Sequence, residues 1–256
     1  MKIICYSDIH LEIEKDLAVP ADTDADVMIL AGDILNMCDP APFSRFVAGF
    51  DRPVLFVAGN HEYYEGRPMS AERDAFAGWL AENHPNVTFL RDESITMNGV
   101  HFFGGTMWTD FAGADAKAMA AAESRMHDYQ LITADHGGIL RAADTLPLHN
   151  AFAQKLIAWL DTPMPGKRVV ITHHAPCLHP QSLHDGSPLI PAFNSLDMLA
   201  VIENYAPDVW YYGHTHECDR QKIGRTQMIS NQLGYVRNGA YECAAAFDPA
   251  GAPITL

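Results

Sequence analysis

Five short apolar runs constrain this chain of 256 residues more than any other feature. They are KIICY (Lys2 to Tyr6), VMILA (Val27 to Ala31), VLFVA (Val54 to Ala58), VVIT (Val169 to Thr172) and VWYY (Val209 to Tyr212). None alternates apolar with polar residues, as a half-exposed strand would. Continuous runs of this length, rich in Val, Ile and aromatics, predict strands buried on both faces within an α/β fold. The residues just past each run are equally regular. After KIICY come Asp8 and His10, after VMILA Gly32-Asp33, after VLFVA Gly59-Asn60-His61-Glu62, after VVIT His173-His174, and after VWYY Gly213-His214-Thr215-His216.

In an open α/β sheet, ligands lie outside the carboxyl ends of the strands, so parallel strands would gather these groups on one rim. Each group alone has an ordinary explanation. Polar residues commonly end strands, and Gly-Asp or Gly-Asn-His can be a turn. The Gly-His-Thr-His stretch carries more weight, because alternation puts His214 and His216 on the same side, as chelation requires. A metal-capable side chain after every buried strand is a far rarer coincidence. Three or four imidazoles, two carboxylates and one amide form a mixed nitrogen and oxygen set without thiolate. That set suits Mn²⁺, Fe or Zn²⁺. Seven donors exceed one tetrahedral site, which implies two ions with a carboxylate bridging them.

Charge narrows the partners. With 17 basic and 32 acidic residues the formal net charge is −15, and Lys and Arg form no patch. This argues against double-stranded nucleic acid as a ligand. An acidic chain also repels anionic substrates unless bound cations reverse the local field. Five scattered cysteines without a CxxC pair suggest reduced thiols and a cytoplasmic location. The first residues enter a strand directly, with no signal-peptide pattern, and no apolar run approaches the ~20 residues of a membrane span. Oligomeric state has no sequence signal.

Helical patterns separate the strands. One is expected from an Asp39-Pro40 start to about Ala48, a second from a Ser70 cap to about Asn83, a third over Asn150 to Leu160 and a fourth from Asn194 or Ser195 to about Tyr205. Asn98-Gly99 marks a hairpin turn, and Gly224 another between Gln221–Ile223 and Thr226–Ser230. A last strand is expected near Glu242 to Phe247. The Ala-rich stretch from about 106 to 149 reads as a helical excursion, serving either as a lid or as an ordinary surface helix pair. Residues 1–256 otherwise read as a single domain.

The ordered set Asp8-x-His10, Gly32-Asp33, Gly59-Asn60-His61-Glu62, His173 and Gly213-His214-x-His216 resembles the calcineurin-like metallophosphoesterase family. The resemblance implies a two-layer mixed β-sandwich flanked by helices, four layers in the order α/β/β/α, with the active site at the strand C-terminal ends. It implies two divalent ions, with Asp8, His10 and His216 holding the first, Asn60, His173 and His214 the second, and Asp33 bridging. His61 would bind no metal but face the leaving group as the catalytic acid, and Asp8 would orient His10 or His61 as well as bind metal. The substrate would be a small phosphorylated metabolite or nucleotide, a monoester or diester, hydrolysed by attack of a metal-bridging hydroxide. The alternative is a non-catalytic scaffold of the same fold that binds a protein partner.

Either His173 or His174 could be the ligand, and His173 directly follows the strand. Tyr63, His174 and Trp108 are candidate substrate contacts; Tyr64, Asp110, His179 and His184 are weaker ones. The chain departs from family patterns at Asn36, where many members have Asp, at Glu62, where many have Asp, and at Asn231-Gln232-Leu233-Gly234-Tyr235, where related chains read Asn-Pro-Arg-Gly-Tyr. Sequence motifs GGTMWTDF (104–111), MHDYQLI (126–132) and THHAP (172–176) look like those of a bacterial branch of that family.

Overall fold

The computed structural model describes all residues except 14–16, 21–22, 181 and 183. Strands β1 (Lys2–Tyr6), β2 (Val27–Ala31), β3 (Val54–Val57) and β4 (Val87–Phe89) run parallel in one sheet. The second sheet contains β5 (Glu93–Met97), β6 (Val100–Gly105), β7 (Lys167–Thr172), β8 (Val209–Tyr211), β9 (Asp219–Ile223) and β10 (Thr226–Ser230), in the order β5-β6-β7-β8-β10-β9. There β6, β7, β8 and β10 are parallel, and β5 and β9 pair antiparallel at the edges. A small hairpin comes next, β11 (Val236–Arg237) with β12 (Ala240–Tyr241), and β13 (Ile254–Thr255) closes the first sheet antiparallel to β1.

The continuous apolar runs now have a physical cause. Successive side chains of a strand point to opposite faces. Ile3 and Cys5, Ile29 and Ala31, Leu55 and Val57, Val169 and Ile171, and Val209 and Tyr211 fill one core between the two sheets. The intervening Ile4, Met28, Leu30 and Phe56 join the layer that also holds Phe43, Phe46, Phe76 and Leu80 of the helices Ala41–Val47 and Met69–Asn83. On the far side Val170 and Trp210 pack with Phe152, Leu156 and Ile202 of the helices Ala142–Asp161 and Met198–Tyr205. The result is four layers, α/β/β/α. Each of the five strands is buried on both faces, with helices on one face and the other sheet on the opposite one.

The five ligand-bearing ends therefore divide three to two between the sheets, and the rims of the sheets meet. No helix among the described residues is long and apolar enough to cross a membrane.

Several expected boundaries shift. The helix expected from Asn150 begins at Ala142 and continues through Pro147. The helix at Met69–Asn83 starts before Ser70, so that residue lies in its first turn and does not cap it. Residues 242–247 form no strand. There the Ala246 and Phe247 amides both donate to the Cys243 carbonyl, coiling the chain into a turn. Both hairpins form as expected, with Asn98 and Gly99 at φ 49° and 76°, the left-handed pair that a tight turn of this hand demands.

Candidate active site

Five of the rim residues sit in sharp backbone turns. Asp8, His10, Asp33, His214 and His216 all have φ between +51° and +72°. Residues with a Cβ avoid this region, at a cost of roughly 1–3 kcal/mol each, unless surrounding bonds enforce it. Those bonds are present. The amide of Asp8 donates to Gly32 O at 3.0 Å and that of His10 to Asp33 O at 3.0 Å. The His214 amide donates to both carboxylate oxygens of Asp8 at 3.1 Å, joining one sheet's rim to the other's. Two motif glycines are needed for closeness. A Cβ on Gly59 would stand 2.2 Å from Asp33 Oδ1, and one on Gly213 would stand 2.0 Å from Ser7 Oγ.

Two overlapping groups of donors result. In the first, His10 Nε2 lies 3.2 Å from His216 Nε2, which lies 3.5 Å from Asp8 Oδ1. The outer nitrogens are engaged elsewhere: His10 Nδ1 meets Glu12 Oε1 at 3.0 Å and His216 Nδ1 meets the Glu242 carboxylate. In the second, His173 Nε2 lies 3.0 Å from Asn60 Oδ1, 3.1 Å from His214 Nδ1 and 3.3 Å from Asp33 Oδ1. Its Nδ1 donates to the Ala31 carbonyl at 2.9 Å. The nitrogens facing the centre are thus the ones free to gain or lose a proton. Asp33 belongs to both sides, grouping with His173 and His214 and also with His10 and His61.

The electrostatics follow from burying carboxylates. Asp33 is pushed up by burial, but the neighbouring His173 and His61 outweigh it and hold the carboxyl well below its usual range. Burial opposes the charged form of His173 and His216 as well. Asp33 nevertheless raises His173 to about 9, and Asp8 and Glu242 raise His216 to about 10. His214 is lowered by burial and by the charges of His174 and His173, and its Nε2 is a buried atom without a partner. The centre therefore collects positive charge as protons on two imidazoles whose lone pairs a divalent cation would otherwise take. The donor set is all nitrogen and oxygen, converges from five loops and has the outer nitrogens of His10, His173 and His216 anchored. It fits divalent metal ions.

His61 sits beside this centre. Its amide donates to Asp33 Oδ1 at 2.9 Å, its Nδ1 meets Glu12 Oε1 at 2.9 Å and its Nε2 lies 2.7 Å from the Tyr235 hydroxyl. Burial lowers its basicity, but Asp33 and Glu12 more than compensate and the pKa is raised. A cleft of roughly 600 Å³ opens over Asp33, Asn60, His61, His214 and His216, walled by Tyr64, Asp128, Phe193 and Tyr235.

The structure brings Asp8, His10, Asp33, Asn60, His61, His173, His214 and His216 together. His173 joins the cluster; His174 is buried behind it, with Nδ1 on Thr106 O at 3.2 Å and its ring 4.2 Å from that of His214. Two expected substrate contacts are displaced. Tyr63 and Trp108 line a separate small hollow with Arg73 and Asp92. Residues 61–63 form a single 3₁₀ turn, which sends Tyr63 inward and leaves Tyr64 on the cleft, its ring centroid 4.1 Å from that of His61. His174 does not line the cleft either; its ring packs on that of His214, which does. One oxygen of Glu12 meets Nδ1 of both His10 and His61, whereas Asp8 meets the His214 amide and His216 Nε2. Of the weaker candidates His184 lines the cleft, whereas Asp110 caps the short turn at Ala112 and Gly113 and His179 lies 3.6 Å from Asp219.

The departures at Glu62 and Gln232 also have a structural account. Glu62 accepts from the amides of Asp33, Ile34, Leu35 and Gly59 at 2.6–3.2 Å, locking the loops that carry Asp33 and Asn60. Gln232 accepts from the His216 amide at 2.5 Å and donates to Thr215, Glu217 and Ser230. Glu12, Asp128, Tyr235 and Glu242 join the site without any role assigned to them by pattern. Glu12 stands only two residues beyond His10, which is a usable signal; Glu242 carries none at all.

Comparison with known proteins agrees with this geometry. The calcineurin-like phosphoesterase family matches residues 1–218, and the chain belongs to that family. With its buried His and Asp clusters it is a phosphoester hydrolase of the dimetal kind. It is 26% identical over 261 residues to the uncharacterized protein L509 of Acanthamoeba polyphaga mimivirus, covering 92% of each chain. It is 34% identical over 116 residues to the UPF0046 protein K07C11.7 of Caenorhabditis elegans, covering 41% of this chain and 39% of that one. The crystal structure of phosphopantetheinyl hydrolase from Mycobacterium tuberculosis superposes with a TM-score of 0.68 at 18% identity, covering 91% of this chain and 89% of that one. That of TT1561 from Thermus thermophilus gives 0.57 at 16% identity, covering 90% and 88%.

Proposed function

We propose that the chain hydrolyses a small phosphomonoester or phosphodiester, with Asp8, His10 and His216 holding one divalent ion, Asn60, His173 and His214 a second, and Asp33 shared between them. The convergence of Asp33 with imidazoles from both sheets carries this reading. A pair of divalent ions, when bound, supplies positive charge for the phosphoryl oxygens and an acidified water at neutral pH. The chain's own residues do the rest. Glu12 and Glu242 keep the outer nitrogens of His10 and His216 occupied and so aim their Nε2 atoms inward. Phe193 and Tyr64 form walls that limit water around the cleft.

His61 holds a proton because Asp33 and Glu12 stabilise its charged form. It delivers that proton from Nε2, through or past the Tyr235 hydroxyl, to the departing oxygen. A positioned acid of this kind contributes typically ~10²–10⁴-fold. The five free cysteines fit a reducing, cytoplasmic setting.

Metal analysis combined with hydrolysis of p-nitrophenyl phosphate and bis-p-nitrophenyl phosphate in Mn²⁺, Zn²⁺ and Ni²⁺ tests the proposal. The panel should include a phosphopantetheinyl ester, the group named for the mycobacterial structure. Two bound ions with turnover on a monoester or diester are expected. Tight binding of two ions without turnover on any phosphoester would favour the scaffold reading.

A further inference from the structure

We infer that Asp128, midway along the helical excursion, is a positioning residue for the second metal site, acting through Asn60; this rests on the dimetal reading above. Asp128 is buried, and its Oδ1 receives Asn60 Nδ2 at 2.8 Å and the Tyr64 hydroxyl at 2.5 Å. Asn60 Nδ2 also donates to the Tyr64 oxygen at 3.2 Å, closing a triangle.

These contacts decide which end of the amide points where. Asparagine offers a donor end and an acceptor end of nearly equal size, so packing alone does not choose between them. Asp128 Oδ1 accepts from Asn60 Nδ2 and from the Tyr64 hydroxyl together. That pairing takes the NH₂ end of Asn60, and its Oδ1 is left facing His173 Nε2 at 3.0 Å. Reversed, Asn60 would turn an N–H toward the centre and could ligate nothing there.

The excursion is held where this requires. Tyr64 pairs with Ile132 in an antiparallel bridge, the Glu65 amide donates to Leu131 O at 3.1 Å and the Met69 amide to Thr133 O at 3.1 Å. Residues 128–133 are thus stitched to the loop after β3, forming a fixed wall of the cleft. This gives the MHDYQLI stretch a function: its aspartate sets the polarity of a ligand on another element. Tyr64, on the same triangle, packs its ring on His61, so one buried carboxylate steadies both the amide and the acid.

The test is calorimetric titration of the metal-free protein with Mn²⁺, for wild type, Asp128→Ala, Asp128→Asn, Asn60→Ala and the Asn60→Ala/Asp128→Ala double variant. Melting curves monitor folding. Asp128→Ala is expected to weaken one of the two ions about 10–100-fold, the usual effect of losing a ligand's hydrogen-bond partner, and leave the other unchanged. Asp128→Asn, whose amide oxygen can still accept from Asn60, should recover most of that loss. In the Asn60→Ala background the Asp128→Ala change should add nothing, as expected of residues acting on one path. Equal weakening of both ions, additive losses, or wild-type affinity in Asp128→Ala would each overturn the inference. If wild type itself binds fewer than two ions, the dimetal reading fails with it, a result distinguishable from any of these.

Discussion

Glu12 places one carboxylate oxygen against two imidazoles with different tasks. It holds Nδ1 of His10 so that Nε2 faces the centre, and it holds Nδ1 of His61 while adding charge that keeps the ring protonated. Burial and these two imidazoles act on Glu12 in turn: burial raises its pKa, but the hydrogen bonds prevail and hold it down to about 2. Substitution separates its two roles. Glu12→Gln retains an acceptor but removes the charge, so metal affinity should change little. The pKa of His61 should fall, and the alkaline limb of the kcat profile, where His61 loses its proton, should move to lower pH. His61→Ala should abolish that limb and lower kcat by roughly 10²–10⁴-fold with two ions retained. Wild-type turnover in His61→Ala would exclude the acid role. A second residue-scale prediction concerns protons. His173 and His216 sit at about 9 and about 10 in the metal-free protein and must shed their Nε2 protons to coordinate. Metal binding near pH 7 should therefore release about two protons. Titration in buffers of different ionisation enthalpy counts them, and release of none would show that these nitrogens do not bind metal.

At the level of elements, the glycines explain why the motifs read as they do. Gly213 must let the end of β8 close on the carboxylate of Asp8, since any Cβ there would stand 2.5 Å from Asp8 Oδ2. Gly213→Ala should force the rims apart, costing about 1–3 kcal/mol in melting experiments as an overpacked substitution, together with a loss of metal affinity. A fully active, fully loaded Gly213→Ala protein would show that the rims do not meet at this point. These same elements mark how far sequence alone could reach. The five strands and their polar tips were legible because both faces of each strand are buried and each ligand directly follows its strand. Pairs formed by chain reversal far from a motif were not. Glu242 reaches His216 from a turn at residues 242–247 that composition alone suggested as a strand, and β13 has only two residues with which to declare itself. Tyr63 and Tyr64 could not be told apart by pattern, because a single 3₁₀ turn decides which one faces the cleft.

The whole molecule carries a net charge of −15 and gathers the carboxylates of Asp8, Asp33 and Glu12 in a seam between two sheets, beside Glu62 and Asp128, whose pKa values burial raises, that of Glu62 to about 8. Protons on His173, His216 and His61 offset part of that charge, at the expense of burying ionised rings. Two divalent ions would offset it more fully and, by binding the folded seam and not the unfolded chain, would stabilise the entire sandwich. The seam is built from loops of both sheets, so its loss should be felt as global melting and not as local fraying. At a free ion concentration about 100 times Kd the linkage amounts to ~2.7 kcal/mol per site, or ~5.4 kcal/mol for two, which for a domain of this size corresponds to a melting temperature lower by roughly 10–20 °C after chelation of both ions. Re-addition of Mn²⁺ or Zn²⁺ should restore it. His61→Ala should keep that shift, because it removes no proposed ligand. Asp33→Asn should lose most of it, because it withdraws the one carboxylate common to both groups. Identical melting with and without chelator in the wild type would place the ions, if any, outside the seam. The contrast between the two variants separates a metal centre that also holds the sheets together from an acid that serves the reaction alone.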